Sequence, residues 1–276
     1  VPAFARTCRY FEWYENQQTQ KISSAYETSA RMSEETPKPR FMLGPVIYHH
    51  NYEEPGLMEQ EGMFYGLSGA ITWTRNYTLM IDGTLAWGQV DYTSNGTGTM
   101  DDIDDIHAEA RISIGKDFII NDTLSVMPYA GFGYWYLEDD SVGRLSSTGH
   151  YGYMRKANYY YSPLGARLTI QPKNDVWFTI TAEYDYFWQG NQETDFSSLD
   201  GQRYDNRQKS GYGLRGSIGM HKLFGSTLFS VEPFVRYWDI DKSEEEIMGV
   251  MGPWIVVGYE PANETLESGV RLNVSW

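Results

Sequence analysis

The residues best equipped for chemistry fall into three groups. Arg111, Arg167, Arg215, Arg236 and Arg271 sit at alternate positions among apolar residues, as do Asp82, Glu109, Glu183, Asp185 and Glu232. Charged groups held away from bulk water persist when paired, and the rigid five-donor fork of arginine suits such pairing. A second group is His49, His50, His107 and His150, with Asp101, Asp102, Asp104 and Asp105 just ahead of His107. A histidine beside a carboxylate can serve as a general base, though the simpler reading of these histidines is as aromatic-belt or loop residues, while clustered carboxylates gather calcium. The Asp101–Asp105 run lacks the ordered spacing of a known calcium loop and is the weak metal candidate; a solvated acidic loop is the simpler reading. No cofactor motif is legible, and none is expected. The third group is apolar: Ile247, Met248, Val250, Met251, Trp254 and Ile255 lie in a segment otherwise polar. An exposed patch of this kind marks a partner surface, or else folds down as a lid.

The alternation that carries these groups has a period of two. In 176–189, Phe178, Ile180, Ala182, Tyr184, Tyr186 and Trp188 alternate with Thr179, Thr181, Glu183 and Asp185. In 208–223, Leu214, Ile218 and Met220 oppose Arg215, Ser217 and His221, and in 227–240, Val231, Pro233 and Val235 oppose Glu232 and Arg236. Strands of this pattern have one apolar and one polar face. The pattern predicts strands over 41–52, 62–74, 77–93, 105–117, 123–138, 153–170, 176–189, 208–223, 227–240 and 264–276. The connections alternate in length: 75–76, 118–122, 171–175 and 224–226 are short, whereas 53–61, 94–104, 139–152, 190–207 and 241–263 are longer and acidic.

Composition agrees. Aromatics make up 16% of the 276 residues, with 22 Tyr, 9 Trp and 27 Gly, yet mean hydropathy is only -0.51. No run approaches the roughly 18 apolar residues of a spanning helix, so a helical membrane protein is excluded. A closed barrel with one face in lipid and the other in a polar lumen accounts for both facts. The net charge of -15 argues against nucleic acid as a partner. Cys8 is the single cysteine, so no intrachain disulfide forms. Residues 1–40 lack the alternation and read as a periplasmic extension or plug, with Ala3-Phe4-Ala5 similar to a signal cleavage site.

The last strand brings in a resemblance. Leu266, Val270, Leu272, Val274 and Trp276 share one parity, and an apolar terminal strand ending on an aromatic residue resembles the assembly signal of Gram-negative outer-membrane β-barrels as a broad class. The resemblance covers 41–276. It implies an all-β, closed antiparallel transmembrane barrel of about ten strands, with periplasmic termini and long extracellular loops. It also implies the lipid bilayer, lipopolysaccharide and the barrel-assembly machinery as partners, with an envelope or extracellular protein as a further candidate.

Within that class, omptins are ten-stranded proteases that use an acidic pair and an Asp/His pair facing each other across the outer mouth. This chain departs from the pattern. The region 189–208 has Asp195, Asp200 and Asp205 but no histidine, and Trp238-Asp239-Ile240-Asp241 runs into Lys242 and glutamates. No omptin catalytic role transfers residue by residue. The expected role is therefore a non-enzymatic scaffold or surface-binding barrel whose lumen is filled by paired Arg and carboxylates. A narrow channel or porin and an omptin-like hydrolase are the alternatives.

Overall fold

The computed structural model describes residues 39–172, 175–199, 201–251 and 254–276, with the backbone alone at 246–251 and 254–256. The extension read over 1–40 lies outside the described residues except for its last two positions. No described helix is long and apolar enough to cross a membrane.

Every strand expected from the alternation forms: β1 (Arg40–Glu54), β2 (Met58–Thr74), β3 (Thr78–Ser94), β4 (Gly98–Gly115), β6 (Leu124–Asp140), β7 (Met154–Ile170), β8 (Val176–Asp195), β10 (Gly211–Phe224), β11 (Thr227–Ile240) and β14 (Asn263–Ser275). Each is antiparallel to its neighbours. The pairing of β1 with β14 and of β8 with β10 closes the sheet on itself. The result is a ten-stranded antiparallel barrel with no free edge, the arrangement that satisfies every backbone polar group within lipid. Short strands supplement it. β5 (Phe118–Asn121) pairs with the start of β6, and β9 (Arg203–Gln208) continues the line of β10 along the upper part of β8. β12 (Glu246–Met251) and β13 (Trp254–Gly258) form a separate hairpin.

Two of the long connections prove short. The turn over 53–61 contracts to 55–57, and that over 94–104 to 95–97, because the strands run on past the apolar band. Asp101–Asp105 therefore lies in β4 and not in a loop. A bulge opposite Val90 and Tyr92 leaves Asp102 at φ 57°, with its amide donating to Asp91. Strand alternation then turns Asp104 outward and Asp105 inward, so the run cannot converge on one ion. Among the described residues no group of three His, Cys, Asp or Glu is arranged to hold a metal.

The outer surface is apolar. Leu43, Ile47, Leu67, Leu85, Ile112, Ile180, Ile218 and Leu272 are exposed on it, with Tyr65, Trp87, Tyr186 and Trp188 toward one end and Tyr77, Phe118 and Phe224 toward the other. Aromatic belts flanking an aliphatic band are the mark of a surface made for a bilayer. Ile180 and Ile218 are cross-strand partners on this band. Replacing either with Arg is expected to cost about 2–4 kcal/mol near the midplane, measured by urea titration in lipid vesicles. Wild-type midpoints in both variants would contradict this assignment of the lipid face.

Candidate functional site

The inward residues of the barrel build a septum. Its base is ionic. Arg111 is the cross-strand partner of Asp82 and contacts it at 2.8 Å, then reaches Glu183, also at 2.8 Å. Arg215 spreads a fork over Glu109, with Nη2 2.6 Å from Oε1 and Nη1 3.0 Å from Oε2, while its Nε donates to Asp185. Arg236 joins Glu109 at 3.1 Å to Glu267 at 2.7 Å, and His50 lies 3.1 Å from the other Glu267 oxygen. Tyr161 donates to Glu109 at 2.6 Å and Tyr129 to Glu183 at 2.6 Å. Arg236, Glu267, Asp185 and Glu109 are all buried. Glu109 thus serves two guanidiniums and a phenol, the dense satisfaction that buried charges require.

Aromatic rings complete the septum. Trp135 stacks on Tyr159 at 4.7 Å, and Trp238 meets the edges of Tyr159 at 5.7 Å and Tyr161 at 5.1 Å. Arg215 sits 5.5 Å over Trp238, and Arg236 sits 5.1 Å over Tyr48. Glycine makes room for them: a Cβ on Gly133 would lie 2.2 Å from the Tyr161 ring, and one on Gly213 2.8 Å from Trp238.

The septum separates two cavities that share no lining residue. The inner one, about 340 Å³, is lined by Arg40, Arg167, Arg271, Trp177 and His221 among others. The outer vestibule, about 630 Å³, is enclosed by the ends of β1, β2, β3, β4, β6, β7, β8 and β9 and by residues in 141–153, 196–199 and 259–261. Here Arg155 Nη2 contacts Glu54 at 2.9 Å and also Glu260. Gln60 donates to Asp139, the cross-strand partner of Asp105. Burial pushes the carboxyl of Glu260, in the connection after β13, above its ordinary range despite the Arg155 guanidinium beside it.

The arginines and carboxylates singled out from alternation all face the lumen, with Arg215 opposite Glu183 at 3.3 Å. Glu232 does not pair with Arg236; barrel closure sets it opposite Arg271, 2.7 Å away. Arg236 is opposite Glu267 instead. Arg167 lines the inner cavity. Val270, Leu272 and Trp276 point outward. Ile247, Met248, Val250, Met251, Trp254 and Ile255 belong to the β12–β13 hairpin, and their side chains lie outside the described residues.

The histidines move furthest from their sequence reading. His50 and His107, placed there in the aromatic belt or a loop, are instead sealed inside, His107 bonded to the Tyr48 hydroxyl at 2.7 Å. Two described histidines approach carboxylates: exposed His49, 3.7 Å from Glu61, and sealed His50 with Glu267. Neither lines the vestibule. His150 does, with Thr148 as its 3.0 Å partner. Glu54, Asp139, Arg155, Glu260 and Glu267 are not among the charges assigned to the lumen from the sequence, although Arg155 and Glu267 lie within expected strands and Asp139 and Glu54 stand only one and two residues past the expected ends.

No family model and no curated relative matches the chain. Among solved structures it is similar to the outer membrane protease OmpT from Escherichia coli, with TM-score 0.58 and 13% identity over 87% of this chain and 97% of that one. It is also similar to the toluene transporter TbuX of Ralstonia pickettii, with TM-score 0.41 and 10% identity over 90% and 92%. The translocator domain of the autotransporter NalP from Neisseria meningitidis gives TM-score 0.40 and 10% identity over 97% of each. At these identities the first likeness speaks for the barrel fold alone.

Proposed function

We propose that this chain is a non-conducting, non-enzymatic barrel of the Gram-negative outer membrane that uses its vestibule as a surface binding site. The observation that carries this reading is the septum. A path for ions or solutes would have to cross the ion pairs of Arg215 and Arg236 with Glu109 and the packed rings of Trp135, Tyr159 and Trp238. The absence of hydrolytic function rests on the histidines. Across the described vestibule no histidine stands within hydrogen-bond reach of a carboxylate, so an open general base of the Asp/His kind is not assembled.

In this reading the tight ends of the barrel face the periplasm and the vestibule faces outward, as in barrels of this architecture. The apolar band meets the bilayer and lipopolysaccharide, and the terminal strand engages the assembly machinery. The vestibule meets a soluble or envelope partner. Proteoliposomes bearing the protein should swell in a small neutral sugar no faster than protein-free vesicles. Swelling at a porin-like rate would overturn the proposal.

A further inference from the structure

The vestibule combines bare aromatic rings with hydrogen-bonding groups that the protein uses only in part. Tyr153, Phe196 and Tyr204 line it and pack on one another, with ring centres 4.5 Å apart for the first pair and 6.1 Å for the second. Tyr151 and Tyr259 share the lining and are 63% and 56% exposed. Both stand in connections beyond the ends of β6 and β13 and not in the aromatic belts, so the bilayer does not cover them. The Tyr151 side chain takes no hydrogen bond or ring contact among the described residues, and Lys242 stands 5.8 Å over the Tyr259 ring. Ring surface left in water around a cavity gains free energy when a ligand with an apolar face lies against it.

The polar groups of the same lining are half used. Arg155 and the Tyr52 hydroxyl both address the Oε1 atoms of Glu54 and Glu260. Gln60 addresses Oδ2 of Asp139. Glu54, Asp139 and Glu260 all line the cavity, and the second oxygen of each is not a sealed atom, so it remains able to accept a hydrogen bond from a ligand.

These two features together select a ligand chemistry. A purely apolar ligand would desolvate the carboxylates and give them nothing in return, and an anion would be repelled by them. What fits both is a molecule with apolar faces and many hydroxyl donors. A pyranose ring is such a molecule, because its C–H face packs on the electron-rich face of an aromatic ring while its hydroxyls donate at the rim to carboxylate oxygens. The cavity volume of about 630 Å³ lies in the range of small-molecule sites.

We infer that the vestibule binds a neutral oligosaccharide, with sugar faces against Tyr151 and Tyr259 and sugar hydroxyls donating to Glu54, Asp139 and Glu260. The inference rests on the reading of the vestibule as a binding site and specifies its ligand class.

The test titrates maltotriose, cellotriose and chitotriose as neutral probes, with trigalacturonate as the acidic and spermidine as the cationic comparison. Binding is read by saturation-transfer NMR on the protein in a detergent whose head group carries no sugar. At least one neutral trisaccharide should bind, at least tenfold more tightly than trigalacturonate or spermidine. Tyr151→Ala or Tyr259→Ala should weaken that sugar about tenfold, while the matching Tyr151→Phe or Tyr259→Phe, which keeps the ring, should hold wild-type affinity. Both tyrosines are exposed, so all four variants should keep the folded, heat-modifiable form; should an alanine variant misfold, the probe series on the wild type decides alone. Silence of all three trisaccharides, tighter binding of trigalacturonate or spermidine, affinity indifferent to both alanine substitutions, or equal loss in the phenylalanine variants would each overturn the inference. Vesicle swelling on the same preparation separates the two claims. A barrel that swells vesicles yet binds the trisaccharide loses only the sealed-lumen reading, and one that is silent but does not bind loses only the ligand.

Discussion

Replacing Arg215 with Ala is expected to destabilise the barrel by about 3–5 kcal/mol, the cost of leaving a buried carboxylate without its partner. Asp185, fully buried, takes an ionic contact from the Arg215 Nε, and Glu109 and Glu183 also draw on the same guanidinium. The loss extends to the packing of the guanidinium over Tyr161 and Trp238. Urea midpoints in lipid vesicles and the folded fraction on an unheated gel provide the readout. Arg215→Lys keeps the charge but not the fork, and should fall between the wild type and the alanine variant. An alanine variant with a wild-type midpoint would mean that water already solvates these carboxylates and that the septum is not dry.

Trp238→Ala should cost a similar amount, about 3–5 kcal/mol, for a different reason. Trp238 is fully buried and its ring touches those of Tyr159, Tyr161 and Phe187. Removing the indole leaves a void that a strand-bound aromatic cluster can refill only partly, so the lost burial and the residual cavity both count. Phe178→Ala offers the comparison, since Phe178 is exposed on the lipid face and its truncation should cost less. Equal losses at the two sites would contradict the packing described for the septum.

The period of two made the ten barrel strands legible, because lipid on one side and lumen on the other impose a strict alternation. The pattern faded where lipid ended. Gly98–Asp104 is strand, but its outward residues meet water and only Met100 and Ile103 turn into the core, so its acidic run resembles a loop. The same blindness hid Glu54 and Asp139, which belong to strand ends above the band. Register was illegible for another reason. The pairing of Glu232 with Arg271 and of Arg236 with Glu267 follows from how β11 meets β14, and nothing local to either strand dictates it. Glu109 shows a third limit: its partners Arg215 and Arg236 reach it across the lumen, a distance that only closure of the barrel defines. His50 and His107 were misplaced because an imidazole at the edge of an apolar run looks alike whether it enters a belt or, as here, a sealed network with Tyr48 and Glu267.

The measurement that bears most directly on a sealed lumen is single-channel recording in a planar bilayer, made on the wild type and on Trp238→Ala. The wild type should insert and remain electrically silent at both polarities, while Trp238→Ala, with one of the two indoles of the septum removed, should show current steps. Stable steps in the wild type, unchanged in Trp238→Ala, would contradict the septum and identify the barrel as a channel.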